Sequence, residues 1–186
     1  MYNLQIYKGE VMKLIRIKNI YKKLVLIPFI VSLISPLEAS INSKIIKEQI
    51  DQSKFEQAIN QINNSIISEE NNPINYLYRG IINLHLANFY WENNDFEKTL
   101  EPNQNAINDF NKALEIYSQT SSSEIYPKEY LHIIYANKGH ALYSFAFNFT
   151  RKEKKKAKEI FKQSIDAFSN YIELAPSASD SNIDLT

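Results

Sequence analysis

Cysteine is absent from the 186 residues, which excludes disulfides and thiolate metal centres. Glycine is nearly absent: Gly9, Gly80 and Gly139 are the whole supply, too little for a glycine-rich phosphate loop or a nucleophile elbow. Histidine is scarce as well. His85, His132 and His140 include no pair four residues apart with a glutamate between them, the arrangement that a zinc-binding helix uses. His132 and His140 stand 8 apart, two helical turns, too far to share an ion without rearrangement. No Ser/His/Asp set is visible. These absences point to a chain that is not an enzyme and carries no cofactor or metal.

Net charge is missing too, since Lys+Arg and Asp+Glu both number 21. The balance is uneven along the chain. Residues 1–39 hold Lys8, Lys13, Arg16, Lys18, Lys22 and Lys23 against Glu10 and Glu38, a net of +4, so the remainder carries −4. A mildly acidic body argues against nucleic acid as a partner, because phosphate neutralisation needs many cations. No apolar run reaches the roughly 20 residues of a membrane-spanning helix. The longest uncharged run, Leu24 to Leu37, has 14 residues and is broken by Pro28 and Pro36.

That run follows Lys22 and Lys23 and precedes Glu38-Ala39-Ser40, the order of a secretory signal: basic region, apolar region, small-residue site. Cleavage after Ala39 would use Leu37, which is large for its position, and Met12 would make a more typical start than Met1. Residues 1–39 are therefore expected to be a signal peptide or an N-terminal anchor in contact with a membrane. The mature protein is expected in an exported location: periplasm, thylakoid lumen or attached to a membrane.

From Ile41 on, the spacing of apolar residues is helical. Gly139, Leu142, Ala146 and Phe149 step by 3, 4 and 3; Ala157, Phe161, Ser164, Phe168, Tyr171 and Ala175 step by 4, 3, 4, 3 and 4. Pro73, Pro127 and Pro176 fall between or after these stripes, where helices end. The fold class is all-α. The chain also repeats itself. Tyr76-Leu77-Tyr78-Arg79-Gly80 returns 59 positions later as Tyr135-Ala136-Asn137-Lys138-Gly139. Ala106-Ile107-Asn108-Asp109-Phe110 returns as Ser164-Ile165-Asp166-Ala167-Phe168.

The order of large, small, small and aromatic residues resembles the tetratricopeptide repeat, a helix-turn-helix unit of 34 residues. Tyr76, Gly80, Ala106, Phe110 and Ala113 match one unit; Tyr135, Gly139, Ser164, Phe168 and Pro176 match the next, with Tyr171 in place of a small residue. A degenerate unit precedes them, with Phe55, Ala58, Ile62 and Ser65 in its second helix. The resemblance implies a right-handed superhelix of antiparallel hairpins over residues 40–176, in units of about 41–72, 73–125 and 126–176, before a polar tail at 177–186. One departure is regular. Ala87 to Ala106 spans 19 residues and Ala146 to Ser164 spans 18, where the family has 5, so both units are longer in the same place. Long structureless loops are uncommon in compact domains, so unusually long helices are expected. Pro102 resists the interior of a helix, which places one helix ending near Trp91 and the next starting near Pro102.

In this family the inner face of the first helices is the usual ligand face. The resemblance implies contacts from Leu77, Ile81, Leu84, His85, His140 and Tyr143 to an apolar helix or peptide of another protein. Family members that grip a C-terminal carboxylate use Lys, Asn and Arg there; only Asn137 is available here, so that role is not implied. Phe89, Tyr90 and Trp91 form an aromatic cluster whose ordinary reading is core filling and whose functional reading is recognition of a partner. Arg151, Lys152, Lys154, Lys155, Lys156 and Lys158 form a basic run near a helix start, where cations oppose the macrodipole. Its ordinary reading is a solvated face; its functional reading is contact with an anionic surface. The functional expectation is a non-catalytic scaffold or assembly factor. By resemblance, small bacterial repeat proteins often assist assembly of envelope or photosynthetic membrane complexes. The alternative is a self-associating homo-oligomer, because nothing after Pro176 caps the last helix.

Overall fold

The computed structural model describes residues 41–119, 129–150 and 152–174. The expected signal or anchor at 1–39, the tail at 177–186, and Arg151, Pro127 and Pro176 lie outside the described residues. The chain divides into two compact units, 1–47 and 48–186, and only the second is described nearly throughout. Every described element is helical: α1 (Ile41–Asp51), α2 (Phe55–Ser68), α3 (Pro73–Glu92), a short 3-10 turn (Phe96–Thr99), α4 (Leu100–Gln119), α5 (Glu129–Phe147) and α6 (Lys154–Leu174). No described helix is long and apolar enough to cross a membrane.

Local chemistry sets the boundaries. Asn72 caps α3, its Oδ1 accepting from the Ile74 backbone at 3.0 Å, and Pro73 stands at the first helical position, where its missing N–H costs nothing. Asn94 ends the same helix in the left-handed region at φ 61°. The amide of Asp95 then reaches the Tyr90 carbonyl and that of Asn94 reaches Trp91, so two orphan carbonyls are satisfied. Ser53 ends α1 in the same way, at φ 55°. Pro102 is the third residue of α4, inside the first turn, where no backbone bond to a preceding carbonyl is lost. The expected lengthening is seen as helices of 20, 20, 19 and 21 residues, α3 to α6.

Successive helices in the second unit run antiparallel, because their contacts rise in number on one and fall on the other. Phe55, Asn63 and Ser65 of α2 meet Phe89, Arg79 and Asn75 of α3. Thr99 and Asn103 meet Asn148 and Ser144 along the α4–α5 seam. Tyr143, Gly139 and His132 of α5 meet Phe161, Ser164 and Tyr171 of α6.

Both hairpins close on a glycine beneath an aromatic ring. A β-carbon on Gly80 would lie 2.5 Å from the ring of Phe110, and one on Gly139 would lie 2.9 Å from that of Phe168. The rings occupy the space that a side chain would need, so glycine sets the interhelical distance. The Ser164 hydroxyl uses the same closeness in the second hairpin, donating to the Gly139 carbonyl at 2.7 Å. The first hairpin adds an ion pair. Arg79 Nε lies 3.1 and 3.0 Å from the two Asp109 oxygens, Nη2 lies 2.6 Å from Oδ1, and Nη1 donates to Asn63 Oδ1 at 2.8 Å. One guanidinium therefore ties α2, α3 and α4. Burial pushes the Asp109 carboxyl up, opposed by Arg79, whose own pKa is raised chiefly by its hydrogen bonds to Asp109. The two-pronged geometry is that of an ionised pair. In the second hairpin Lys138 and Ala167 take these two places, so the arrangement is not repeated.

Candidate partner-binding face

Three of the six residues expected on the binding face are core. Leu77, Ile81 and Leu84 are 0%, 8% and 4% exposed. The reason lies in α3 as a whole: Tyr76, Leu77, Tyr78, Ile81, Ile82, Leu84 and Ala87 are all buried, and the helix packs on α2, α4 and α5. A helix that is apolar on every side has no polar face to leave in water. Helical spacing placed these residues on one stripe correctly, but the stripe is covered along α3 as far as Ala87. Asn137 is buried as well, its side-chain amide donating to the Ile133 carbonyl at 2.8 Å.

The other three are partly exposed on α3 and α5. His85 and His140 lie close enough for their charges to interact across the two helices. Desolvation, helped by His85, lowers His140 from 6.5 to about 4. His85 is lowered by burial against an opposing pull from Asp51. Both imidazoles are neutral at pH 7. Tyr143 stacks between Phe161 at 5.4 Å and Phe147 at 6.1 Å, and burial raises its phenol. Among the described residues no group of three His, Cys, Asp or Glu side chains is arranged to hold a metal ion.

Following the same stripes toward the far ends of α3 and α5 leads to open surface. Trp91 lies two turns beyond Leu84, and Phe147 two turns beyond His140. Their rings meet at 5.5 Å, nearly perpendicular, and Phe96 from the 3-10 turn also packs on Trp91, at 4.8 Å. Trp91, Phe96 and Phe147 remain 39%, 44% and 45% exposed. Of the two readings of the aromatic cluster, core filling does not hold for Trp91. Phe89 is also exposed, although it touches Phe55 and Tyr90. Phe147 carried a legible signal, its seven-residue spacing from His140; Phe96 carried none, because its place depends on how the 3-10 turn folds back.

The lysine run occupies the α5–α6 turn and the first turns of α6. Lys152, Lys154, Lys155, Lys156 and Lys158 are exposed, beside an open depression of about 800 Å³ with Phe145 and Ile160 in its floor. Lys156 is partly spoken for: its Nζ sits 3.9 Å above the Phe149 ring and 3.7 Å from Glu153. The structure therefore holds two separate surfaces, one aromatic and one basic, at the turn end of the hairpins. Comparison of the chain with protein-family models, with curated proteins and with solved structures gives no match.

Proposed function

We propose that this chain is a non-catalytic scaffold that holds another protein on the face shared by α3 and α5. The observation that carries the reading is the packed triad of Trp91, Phe96 and Phe147. Large aromatic side chains held in place by one another and still about 40% exposed are the usual anchors of protein interfaces. His85, His140 and Tyr143 continue the same face with neutral polar groups, as an interface rim does.

The scaffold reading includes a tetratricopeptide-like arrangement of the two long hairpins in a right-handed superhelix. Its support is the equivalence of Gly80 under Phe110 and Gly139 under Phe168, together with the buried small residues Ala106 and Ser164 at matching places. An experimental structure with hairpins stacked in the opposite hand would remove that family reading. Export rests on the basic, apolar and small-residue order of residues 22–40. Fractionation that leaves the full chain in the cytoplasm would remove export and leave the scaffold untouched.

The binding face is tested with a photo-crosslinking residue at position 96 of the full chain, expressed in its native cells. Discrete protein adducts are expected, and Trp91→Ala with Phe147→Ala should abolish them without lowering the melting temperature appreciably. Adducts unaffected by the double substitution would refute the assignment.

A further inference from the structure

The two hairpins are built alike but differ in how one cation is answered. Arg79 and Asp109 each stand one residue before the Gly80–Phe110 contact, and Lys138 and Ala167 each stand one residue before the Gly139–Phe168 contact. In the first hairpin Asp109 accepts from Nε and Nη2 of Arg79 while Asn63 accepts from Nη1. In the second, the place of the carboxylate holds only the methyl of Ala167. Lys138 is half-buried, and among the described residues no carboxylate pairs with it. Its pKa is accordingly lowered from 10.5, with burial as the cause. A cation drawn out of water without a counter-charge costs the fold stability.

Lys138 shares a side of α5 with Leu142 and Phe145, at spacings of 4 and 3. That side leads into the depression at the α5–α6 turn. Phe145 and Ile160 lie in its floor; the Phe145 ring meets Phe149 at 5.1 Å, and Lys156 covers the Phe149 ring at 3.9 Å. Around the rim Lys152 and Lys154 to Lys156 stand against Glu153 and Glu159, four ammoniums to two carboxylates, a net of +2. Lys154, Lys155 and Lys156 open α6, where cations oppose the macrodipole, so they too weaken the helix they begin. Phe147, two residues from Phe145 and on the opposite side of α5, belongs to the aromatic triad. The basic strip is therefore a second surface.

We infer that this strip of α5 and α6 is a second docking site whose occupant is an extended acidic segment of another protein. An apolar side chain of that segment rests on Phe145 and Ile160, carboxylates meet the rim lysines, and one further carboxylate reaches Lys138. Lys138 and Phe145 are 7 residues apart, about 10 Å along the helix, which an extended chain spans in about three residues. The segment therefore carries one acid about three residues from its apolar anchor, with more acids on the other side. The place of Lys138 decides against a membrane, because a flat layer of headgroups reaches the exposed rim but not a half-buried ammonium set back along α5. The acidic balance of the body decides against nucleic acid.

The test is an array of short synthetic peptides, each with one leucine or phenylalanine among aspartates and glutamates at varied spacing, probed with the full chain. Control peptides carry lysine in place of the acids, or serine in place of the apolar residue. The wild type should bind acidic peptides, favour those with a carboxylate about three residues from the apolar one, and pass over both controls. Added salt should weaken the binding. In solution, by fluorescence anisotropy, Lys138→Met should weaken the best peptide about tenfold or more, and Lys138→Arg should restore most of the affinity. Lys154→Glu with Lys155→Glu, both exposed, should abolish binding, whereas Lys54→Met, an exposed lysine outside the strip, should not change it. Lys138→Met should melt no lower than the wild type, since it removes an unanswered cation; a lower melting temperature makes the lysine part of the fold and overturns the inference. Equal binding of controls and acidic peptides overturns it too, as does acidic-peptide binding that survives Lys138→Met or falls equally with Lys54→Met. So does a wild type that binds no acidic peptide. If that chain co-sediments with phosphatidylglycerol vesicles but not phosphatidylcholine vesicles, the strip is a lipid contact instead. Each of these failures leaves the crosslinking at position 96 to judge the aromatic face by itself.

Discussion

Adding one methyl group at Gly80 separates two opposed effects of known size. In an ordinary exposed helix, Gly→Ala stabilises by about 1 kcal/mol, because alanine has less backbone freedom to lose. At Gly80 the new carbon would sit 2.5 Å from Cε1 of Phe110 and 2.9 Å from Cδ1 and Cζ, where ordinary contact is 3.4–4 Å. The ring must retreat by about 1 Å, and Phe110 is 0% exposed, so it has nowhere open to go. Overpacking of this kind costs about 1–3 kcal/mol, and Gly80→Ala should therefore be destabilising by about 1 kcal/mol overall. Gly139 provides the control. Its contacts with Phe168 begin at 2.9 Å, and that ring is partly exposed and has room to swing outward. Gly139→Ala should fall within about 0.5 kcal/mol of the wild type, the propensity gain offsetting the smaller clash. Urea unfolding of both variants measures the gap, with m-values checked for equality. A double-mutant cycle with Phe110→Leu should return a coupling of about 1 kcal/mol, favourable when both changes are present. If Gly80→Ala raises stability by about 1 kcal/mol, or if the two glycines respond alike, the close approach under Phe110 is refuted.

Breaking the three-helix tie with Asp109→Asn or Arg79→Met should cost about 3–5 kcal/mol, because the remaining partner keeps a largely buried charge; a loss below about 1 kcal/mol in thermal unfolding would show the pair to be solvated. His140 titrates at about 4 in the folded chain and 6.5 in the unfolded one, so the unfolded state takes up protons first as pH falls. Stability from this group is whole above about pH 6.5 and declines as pH falls toward about 4, by up to about 3 kcal/mol at 1.36 kcal/mol per pH unit. His140→Gln should flatten this part of the pH dependence of the urea midpoint, and an unchanged slope between pH 7 and 5 would count against burial of the ring. Asn94 holds a left-handed φ of 61°, so Asn94→Gly should raise the melting temperature by the equivalent of about 0.5–1 kcal/mol, while Asn94→Ala should lower it.

Much of the architecture was legible in the residues themselves. Proline at 73 carries its own backbone preference, which acts within a few residues and needs no tertiary partner, whereas Asn72 and Asn94 emerged as helix ends only in the structure. The helical stripes and the recurrence of glycine with an aromatic some 30 residues later indicated hairpins, because only a close crossing makes use of a missing side chain. The lengthened units followed from spacing and from Pro102. The candidate site was legible only in direction. A stripe such as Leu77, Ile81, Leu84 and Trp91 says which residues share a side of α3, but not how far along that side its neighbours reach.

That distinction separates what the sequence alone determined from what the tertiary structure decided. Periodicity is local, set by 3.6 residues per turn and by single-residue backbone energetics, so an all-helical chain could be read without coordinates. Exposure is not local. Leu77 is covered and Trp91 is open because α2, α4 and α5 crowd α3 as far as Ala87 and leave its last turn exposed. The pairing of Arg79 with Asp109, 30 residues away, and the meeting of Trp91 with Phe147 across two helices likewise arise only when separate segments are packed together.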